Sequence, residues 1–242
     1  MERYDGGDDA LRGRNGPLRV TDTPRHQVPL LEKMIEAAGK IGLPYNTDLN
    51  GVRQEGIGMS QVTIAKGRRQ STAFAYLDPA RGRPNLTIEK GALAQNLILE
   101  GRRCLGVRYS INGEIREARA AREVIVCSGA INSPKLLELS GIGQPDLLSA
   151  HGITPVHALK GVGENLRDHY SPRVKFEIIA RNATFNDNAR GWRLVREAAK
   201  YALFGDGFLS RTAVPIRMYF RTREGLEALP VLAHLCHRIQ RL

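Results

Sequence analysis

The run Val124-Ile125-Val126-Cys127, with the Ser128-Gly129-Ala130 turn behind it, constrains this chain most. A short continuous apolar run fits a strand covered on both faces, as in a parallel sheet. The turn then breaks it. Asn132 or Ser133 can cap a following helix, with Pro134 at its first position and Leu136 and Leu137 inside. Residues 124–139 therefore read strand, tight turn, helix. That arrangement presents backbone N–H groups to an anion at a helix N-terminus.

The surrounding pattern is mixed. Leu105, Val107, Tyr109 and Ile111 alternate with polar or small residues. Asn112-Gly113 supplies the positive-φ pair of a two-residue hairpin turn, and Ile115–Ala120 is the return strand. Leu86–Glu89 is short and β-compatible, and an alternating stretch surrounds residues 61–64. Helices are expected at 28–41, with Pro29 first, a stripe of Leu31, Met34, Ile35, Ala38 and Ile41, and Gly42 at the end. Others are expected at 146–150, ending at Gly152, and around Trp192, Val195, Ala199 and Ala202, stopped by Gly205. Pro215–Phe220 is strand-like, and residues 1–25 read as extended. The fold class is α/β, with α+β character.

Composition excludes several alternatives. At 242 residues the chain can bury a core without disulfides or metals. With 42% hydrophobic residues it is neither disordered nor fibrous. No apolar run approaches the ~20 residues that span a bilayer, and the polar start does not read as a secretory leader. Cys104, Cys127 and Cys236 form no CxxC pair, so neither a disulfide framework nor a metal site is expected. A reducing, cytoplasmic setting is the simplest reading, with peripheral membrane association left open.

The formal charge of +11 invites a second reading, a basic module for nucleic acid or an acidic surface. The largest clusters, Lys66-Gly67-Arg68-Arg69 and Arg102-Arg103, sit at expected turns. They lack the interleaved aromatics used to stack bases, so no specific nucleic-acid partner is expected. Dinucleotide, nucleotide-triphosphate, zinc-protease and hydrolase motifs are all absent. The GxG pairs, such as Gly56/Gly58 and Gly161/Gly163, lack a third glycine.

Residues 129–143 read Gly-Ala-Ile-Asn-Ser-Pro-Lys-Leu-Leu-Glu-Leu-Ser-Gly-Ile-Gly. A small pair, then Ser133-Pro134, two aliphatics and Ser140-Gly141-Ile142-Gly143, resembles the second signature of the glucose–methanol–choline (GMC) flavin oxidoreductases. Further segments are similar: Gly16–Val20, Pro44-Tyr45-Asn46, Gln54-Glu55-Gly56, Arg83–Leu86 into Gly91-Ala92-Leu93, and Gly161–His169. In the last of these the family usually has Gln where Arg167 stands. Asn186-Asp187 to Gly191-Trp192 resembles choline-dehydrogenase-like members. The similarity runs over roughly residues 10–229.

The resemblance implies a fragment of an FAD-dependent enzyme that oxidises a small-molecule alcohol. Residues 1–165 would continue the FAD-binding domain, and 166–242 would begin the substrate domain. It places Ser128, Gly129 and Ala130 near the adenosine or diphosphate of FAD, and the Ala94 main chain at the adenine. The family's GxGxxG unit and catalytic histidine have no counterpart in these residues, so no catalytic residue is assigned. The chain alone is expected to be inactive and to require the missing segments as partners, and a non-functional remnant that folds poorly is the remaining alternative.

Other groups stay structural. Asp168-His169 has acid–base chemistry, but adjacent side chains seldom face each other, and hydrogen bonding is expected. Ser133 and Pro134 read as a helix start. From about residue 230 the family pattern fades, and His234, Cys236 and His237 have metal-ligand types without a metal-site spacing.

Overall fold

The computed structural model describes residues 1–25, 29–180, 182–226 and 231–235. It contains two compact units, one of residues 1–86 and 174–242, the other of residues 87–173.

The first unit is built on a three-stranded antiparallel sheet, in the order Val231–Leu235, Ile216–Phe220, Gly56–Met59. Ile216 faces Met59 and Met218 faces Ile57 across the strand pair. The helix Pro29–Lys40 packs on Gly56–Met59. Leu31, Ile35 and Ala38 of the expected stripe are buried, and together with Ile57, Met59, Phe185 and Ile216 they form the core. Ile41, the last member of the stripe, lies past the helix end and is exposed.

Ser60 is buried directly after the Gly56–Met59 strand, yet its polar groups are satisfied. Its N–H donates to Pro215 (2.8 Å) and its hydroxyl to Val214 (2.6 Å), while its carbonyl accepts from Thr23. The alternating stretch near residue 61 forms two short strands. Gln61–Val62 pairs with Thr21–Asp22, and Ile64–Ala65 pairs with Arg68–Arg69. The Lys66-Gly67 cluster is the turn of that second hairpin.

The helix Gly191–Phe204 ends at Gly205 in the left-handed conformation, as expected. The apolar residues that suggested it, Trp192, Val195, Ala199 and Ala202, all lie exposed. Trp192 is 76% exposed, and Val195, Leu203 and Phe204 are exposed with it. The residue turned inward is Glu197, whose carboxylate accepts the N–H of Phe208 at 3.2 Å. The helix also packs on Phe185–Asn188 and Phe208–Ser210. The strand-like stretch at 215–220 appears as Ile216–Phe220. Val231–Leu235, where the resemblance fades, forms the outer strand beside it. Within the tail, Cys236 and His237 lie outside the described residues.

In the second unit the strands Leu93–Glu100, Arg103–Ile111 and Glu114–Arg119 form an antiparallel sheet, with Arg103–Ile111 central. The Asn112-Gly113 turn is as expected, with φ of 52° and 89°. Both values suit a turn whose twist matches that of its strands. The helix Gly129–Leu139 packs on Leu93–Glu100, and Pro145–Ala150 follows. Ile142–Gly143 pairs in parallel with His157–Ala158. Leu97, Leu136, Leu148 and Val162 are buried here.

Three local expectations are corrected in this unit. Leu86–Glu89 is not a strand; the strand starts at Leu93. Val124–Cys127 belongs to no strand, and Ile125 is 74% exposed. A strand exists only through its ladder, and no described strand lies alongside this run to complete one. The helix begins at Gly129, not at Pro134. Ser128 is the residue before it, so Pro134 stands inside the helix. There it removes one helical donor, leaving the Ala130 carbonyl without its intrahelical partner.

Candidate cofactor site

The edge of the Leu93–Glu100 strand is open, because among the described residues this strand pairs only with Arg103–Ile111. Which of its backbone groups face that edge follows from register. Leu97 lies opposite Val107 and Ala94 opposite Tyr109. Three residues on one strand thus match two on the other, and the extra residue is a bulge between Ala94 and Asn96. The Leu105 carbonyl accepts from Ala120, so this residue points its backbone groups toward the opposite strand of the sheet. By alternation Val107 and Tyr109 do the same. Their partners, Leu97 and Ala94, must therefore direct N–H and C=O outward. Without the bulge Ala94 would have the opposite parity and its main chain would face into the sheet.

Ser140, at the end of the signature helix, meets that edge. Its buried hydroxyl accepts the Leu97 N–H at 2.7 Å and donates to the Leu136 carbonyl at 2.6 Å. Gly141, next in the signature, has φ of 82°, and a Cβ there would stand 2.6 Å from the Thr154 carbonyl oxygen. The signature's Ser-Gly pair is thus explained by close backbone packing.

At the other end of the helix, the Ser128 N–H donates to the Ser133 hydroxyl at 3.1 Å. Ser133 therefore serves the turn from inside the helix instead of capping it from outside. The N–H groups of Gly129, Ala130 and Ile131 have no acceptor within the helix. They are exposed, and the space that a Cβ on Gly129 would fill is empty to 4 Å. A helix of 11 residues adds its partial positive charge at this point. The structure thus places Ser128, Gly129 and Ala130 together at one helix end, and Ala94 on a strand against which that helix packs. These donors suit a diphosphate, and the Ala94 N–H and C=O suit the donor–acceptor edge of a purine. The residues present fit the adenosine diphosphate half of FAD.

A second polar assembly, in the first unit, escaped sequence reasoning. Arg12 has only 4% of its side chain exposed. It donates to Glu2 (2.9 Å), Asp48 (2.7 Å) and Gln61 (2.8 Å), and its guanidinium lies 4.2 Å from the centre of the Tyr4 ring. Tyr4 donates to Asp22 and accepts from Gln61. A cavity of about 330 Å³ adjoins Glu2, Arg12, Asn50 and Gln61. Nothing in the polar stretch around residue 12 distinguishes Arg12 from its exposed neighbours, so no sequence signal marked it.

The assembly sets a pH window. The hydrogen bond from Arg12 holds the Glu2 carboxyl below its ordinary range. Burial, reinforced by the bond to Asp22, pushes the Tyr4 hydroxyl up from 10.0 to about 12. A lowered carboxyl contributes stability above its unfolded pKa, and that stability is lost as pH falls through the folded value. A raised phenol contributes below its unfolded pKa, and that stability is lost as pH rises through the folded value. Stability should therefore decline between pH 10 and 12. Urea midpoints across that range should show the decline, and Tyr4→Phe should flatten it.

The remaining expectations concern exposed groups. Asp168 and His169 are almost fully solvated, with Asp168 Oδ1 and His169 Nδ1 3.9 Å apart, and Asp168 accepts the His169 backbone N–H instead. Asp187 accepts from both the backbone and the hydroxyl of Thr184, and these bonds hold it below the ordinary carboxylate range. Among the described residues no group of three His, Cys, Asp or Glu side chains could hold a metal. Much of the basic charge is matched locally, as in Arg108–Glu117 and Arg116–Glu114. No described helix is long and apolar enough to cross a membrane.

A family model described as GMC oxidoreductase matches residues 1–171. The chain belongs to the GMC oxidoreductase family. It is 39% identical over 224 residues to an oxygen-dependent choline dehydrogenase of Paraburkholderia xenovorans, covering 92% of this chain and 40% of that protein. The corresponding protein of Chromohalobacter salexigens is 46% identical over 177 residues, covering 73% and 32%. Among solved structures, an Aspergillus oryzae formate oxidase studied for FAD modification matches with a TM-score of 0.76 at 27% identity, covering 86% of this chain and 37% of that one. This GMC chain thus spans about a third to two fifths of the length of the relatives it matches. The likeness to the formate oxidase accords with the mixed α/β character expected of the chain.

Proposed function

We propose that this chain is part of an FAD-dependent oxidoreductase acting on the CH–OH group of a small alcohol, of the choline dehydrogenase type. The observation that carries this reading is the pairing of two features in one unit. These are the outward main-chain pair of Ala94 on a sheet edge and the uncapped N–H groups of Gly129–Ile131 at the end of the signature helix. A choline dehydrogenase matches over 92% of the chain, and a formate oxidase studied for FAD modification shares its fold.

In this reading residues 1–165 belong to the FAD-binding domain and 166–242 begin the substrate domain. FAD, when bound, supplies the acceptor for the hydride that leaves the alcohol carbon. The residues of this chain supply binding. Ala94 reads the adenine through one N–H and one C=O. Gly129, Ala130 and Ile131 direct backbone donors at the diphosphate, with the Ser128 turn held by Ser133. No side chain here is assigned the proton of the alcohol. The cytoplasm is the proposed compartment, and a small alcohol the proposed substrate.

Titration of FAD with the purified full chain tests the reading through flavin fluorescence quenching and polarisation. Saturable binding that ADP displaces and riboflavin does not is the expected result. Absence of binding up to high micromolar FAD would sink the assignment of Ala94 and Ser128–Ala130.

A further inference from the structure

We propose that Ser140 is a positioning residue for adenine-nucleotide recognition, acting through the register of the Leu93–Glu100 strand. The inference rests on the cofactor reading above and adds to it the device that aims Ala94.

The bulge between Ala94 and Asn96 decides which way the Ala94 main chain points. A bulge is a place where a strand can slip, because the extra residue can be absorbed at more than one position. Something must pin the strand on the side away from the hairpin. The open edge offers few fixed partners, and Ser140 is one of them. Its hydroxyl takes the outward N–H of Leu97, directly beyond the bulge, at 2.7 Å. The same hydroxyl donates to Leu136 at 2.6 Å, so it is held from the helix side as well. Ser140 is buried, which excludes water as a substitute acceptor.

The helix that carries Ser140 at its C-terminal end carries Gly129 and Ala130 at its N-terminal end. One side chain thus ties the donor set for the diphosphate to the strand that reads the base. If Leu97 were released, the bulge could migrate and turn the Ala94 N–H and C=O into the sheet. Adenine recognition would fall, while the helix N-terminus would keep its donors.

The test compares the full chain with Ser140→Ala, Ser140→Thr and a deletion of Gln95. Binding of ADP and of inorganic pyrophosphate is measured by calorimetry, and backbone amide exchange is followed by NMR. Ser140→Ala should weaken ADP binding by roughly five- to a hundredfold, the range for a buried donor left unpaired. Pyrophosphate binding should change little, and exchange at the Leu97 amide should accelerate. Ser140→Thr keeps the acceptor oxygen and should restore both ADP binding and protection. Deleting Gln95 leaves the Ser140 contact in place but removes the bulge, and it should abolish the preference for ADP over pyrophosphate.

Unchanged ADP affinity in Ser140→Ala, or equal loss of ADP and pyrophosphate, would overturn the proposal. So would unchanged exchange at Leu97. Failure of the unaltered chain to bind ADP removes the cofactor reading itself, and is seen before any variant is made. If Ser140→Ala does not fold, the Thr variant and the Gln95 deletion decide alone.

Discussion

Arg12→Ala is expected to lower the stability of the unit that holds it by about 3–5 kcal/mol, the usual cost of breaking a buried ion pair from one side. The guanidinium is the shared partner of Glu2, Asp48 and Gln61, and it lies against the Tyr4 ring. Removing it leaves two carboxylates facing each other across a partly dry space, with no cation between them. Asp48 is already under-provided, since its Oδ2 is buried without a hydrogen-bond partner. Arg12→Lys keeps the charge but not the planar fork that reaches three acceptors at once, so it should recover only part of the loss. Urea unfolding of the full chain measures both. A change below 1 kcal/mol in Arg12→Ala would show that the network is not a structural centre.

Ile57→Ala should cost about 2–5 kcal/mol. Ile57 is 0% exposed and sits where the helix Pro29–Lys40 meets the sheet. It faces Met218 on one side and bridges to Tyr45 on the other. Truncation opens a cavity that backbone on both sides prevents from collapsing. Ile41→Ala is the matched control. It removes the same atoms from a site 82% exposed and should change stability by less than about 0.5 kcal/mol. Unfolding midpoints of the two variants should therefore separate clearly, and equal midpoints would contradict the core assignment.

That contrast shows what the sequence could and could not reveal. Helical periodicity put Ile35 and Ile41 in one stripe, but only the helix end, at Lys40, separates them. The hairpin at Asn112-Gly113 was legible because its turn chemistry is local: two residues fix φ, and alternation fixes the faces. The apolar run Val124–Cys127 misled for the opposite reason. Apolarity reports that a segment seeks cover, and says nothing about whether a neighbouring strand is there to pair with it.

The candidate site divides in the same way. Ser128, Gly129, Ala130 and Ala94 were reached through the family resemblance, and the signature helix gave them an element to stand on. The outward parity of Ala94 was not legible, since it depends on one extra residue in a ladder whose register, Ala94 with Tyr109 and Asn96 with Arg108, is set across the strand pair and not by local sequence. Ser140 was visible as part of a motif, but its bond to Leu97 spans 43 residues. The Arg12 assembly was hidden altogether, because burial of a charged side chain is decided by acceptors up to 49 residues away.

The outward face of the Gly191–Phe204 helix has a colloidal consequence. Trp192, Val195, Leu203 and Phe204 offer an attraction between copies that acts at contact and is insensitive to dilute salt. The formal charge of +11 offers a repulsion that acts at longer range. That repulsion reaches about 10 Å at 0.1 M salt and only about 3 Å at 1 M. The balance between the two is therefore set by the buffer rather than by the fold. Raising the ionic strength is therefore expected to shift copies of this chain from dispersion toward association.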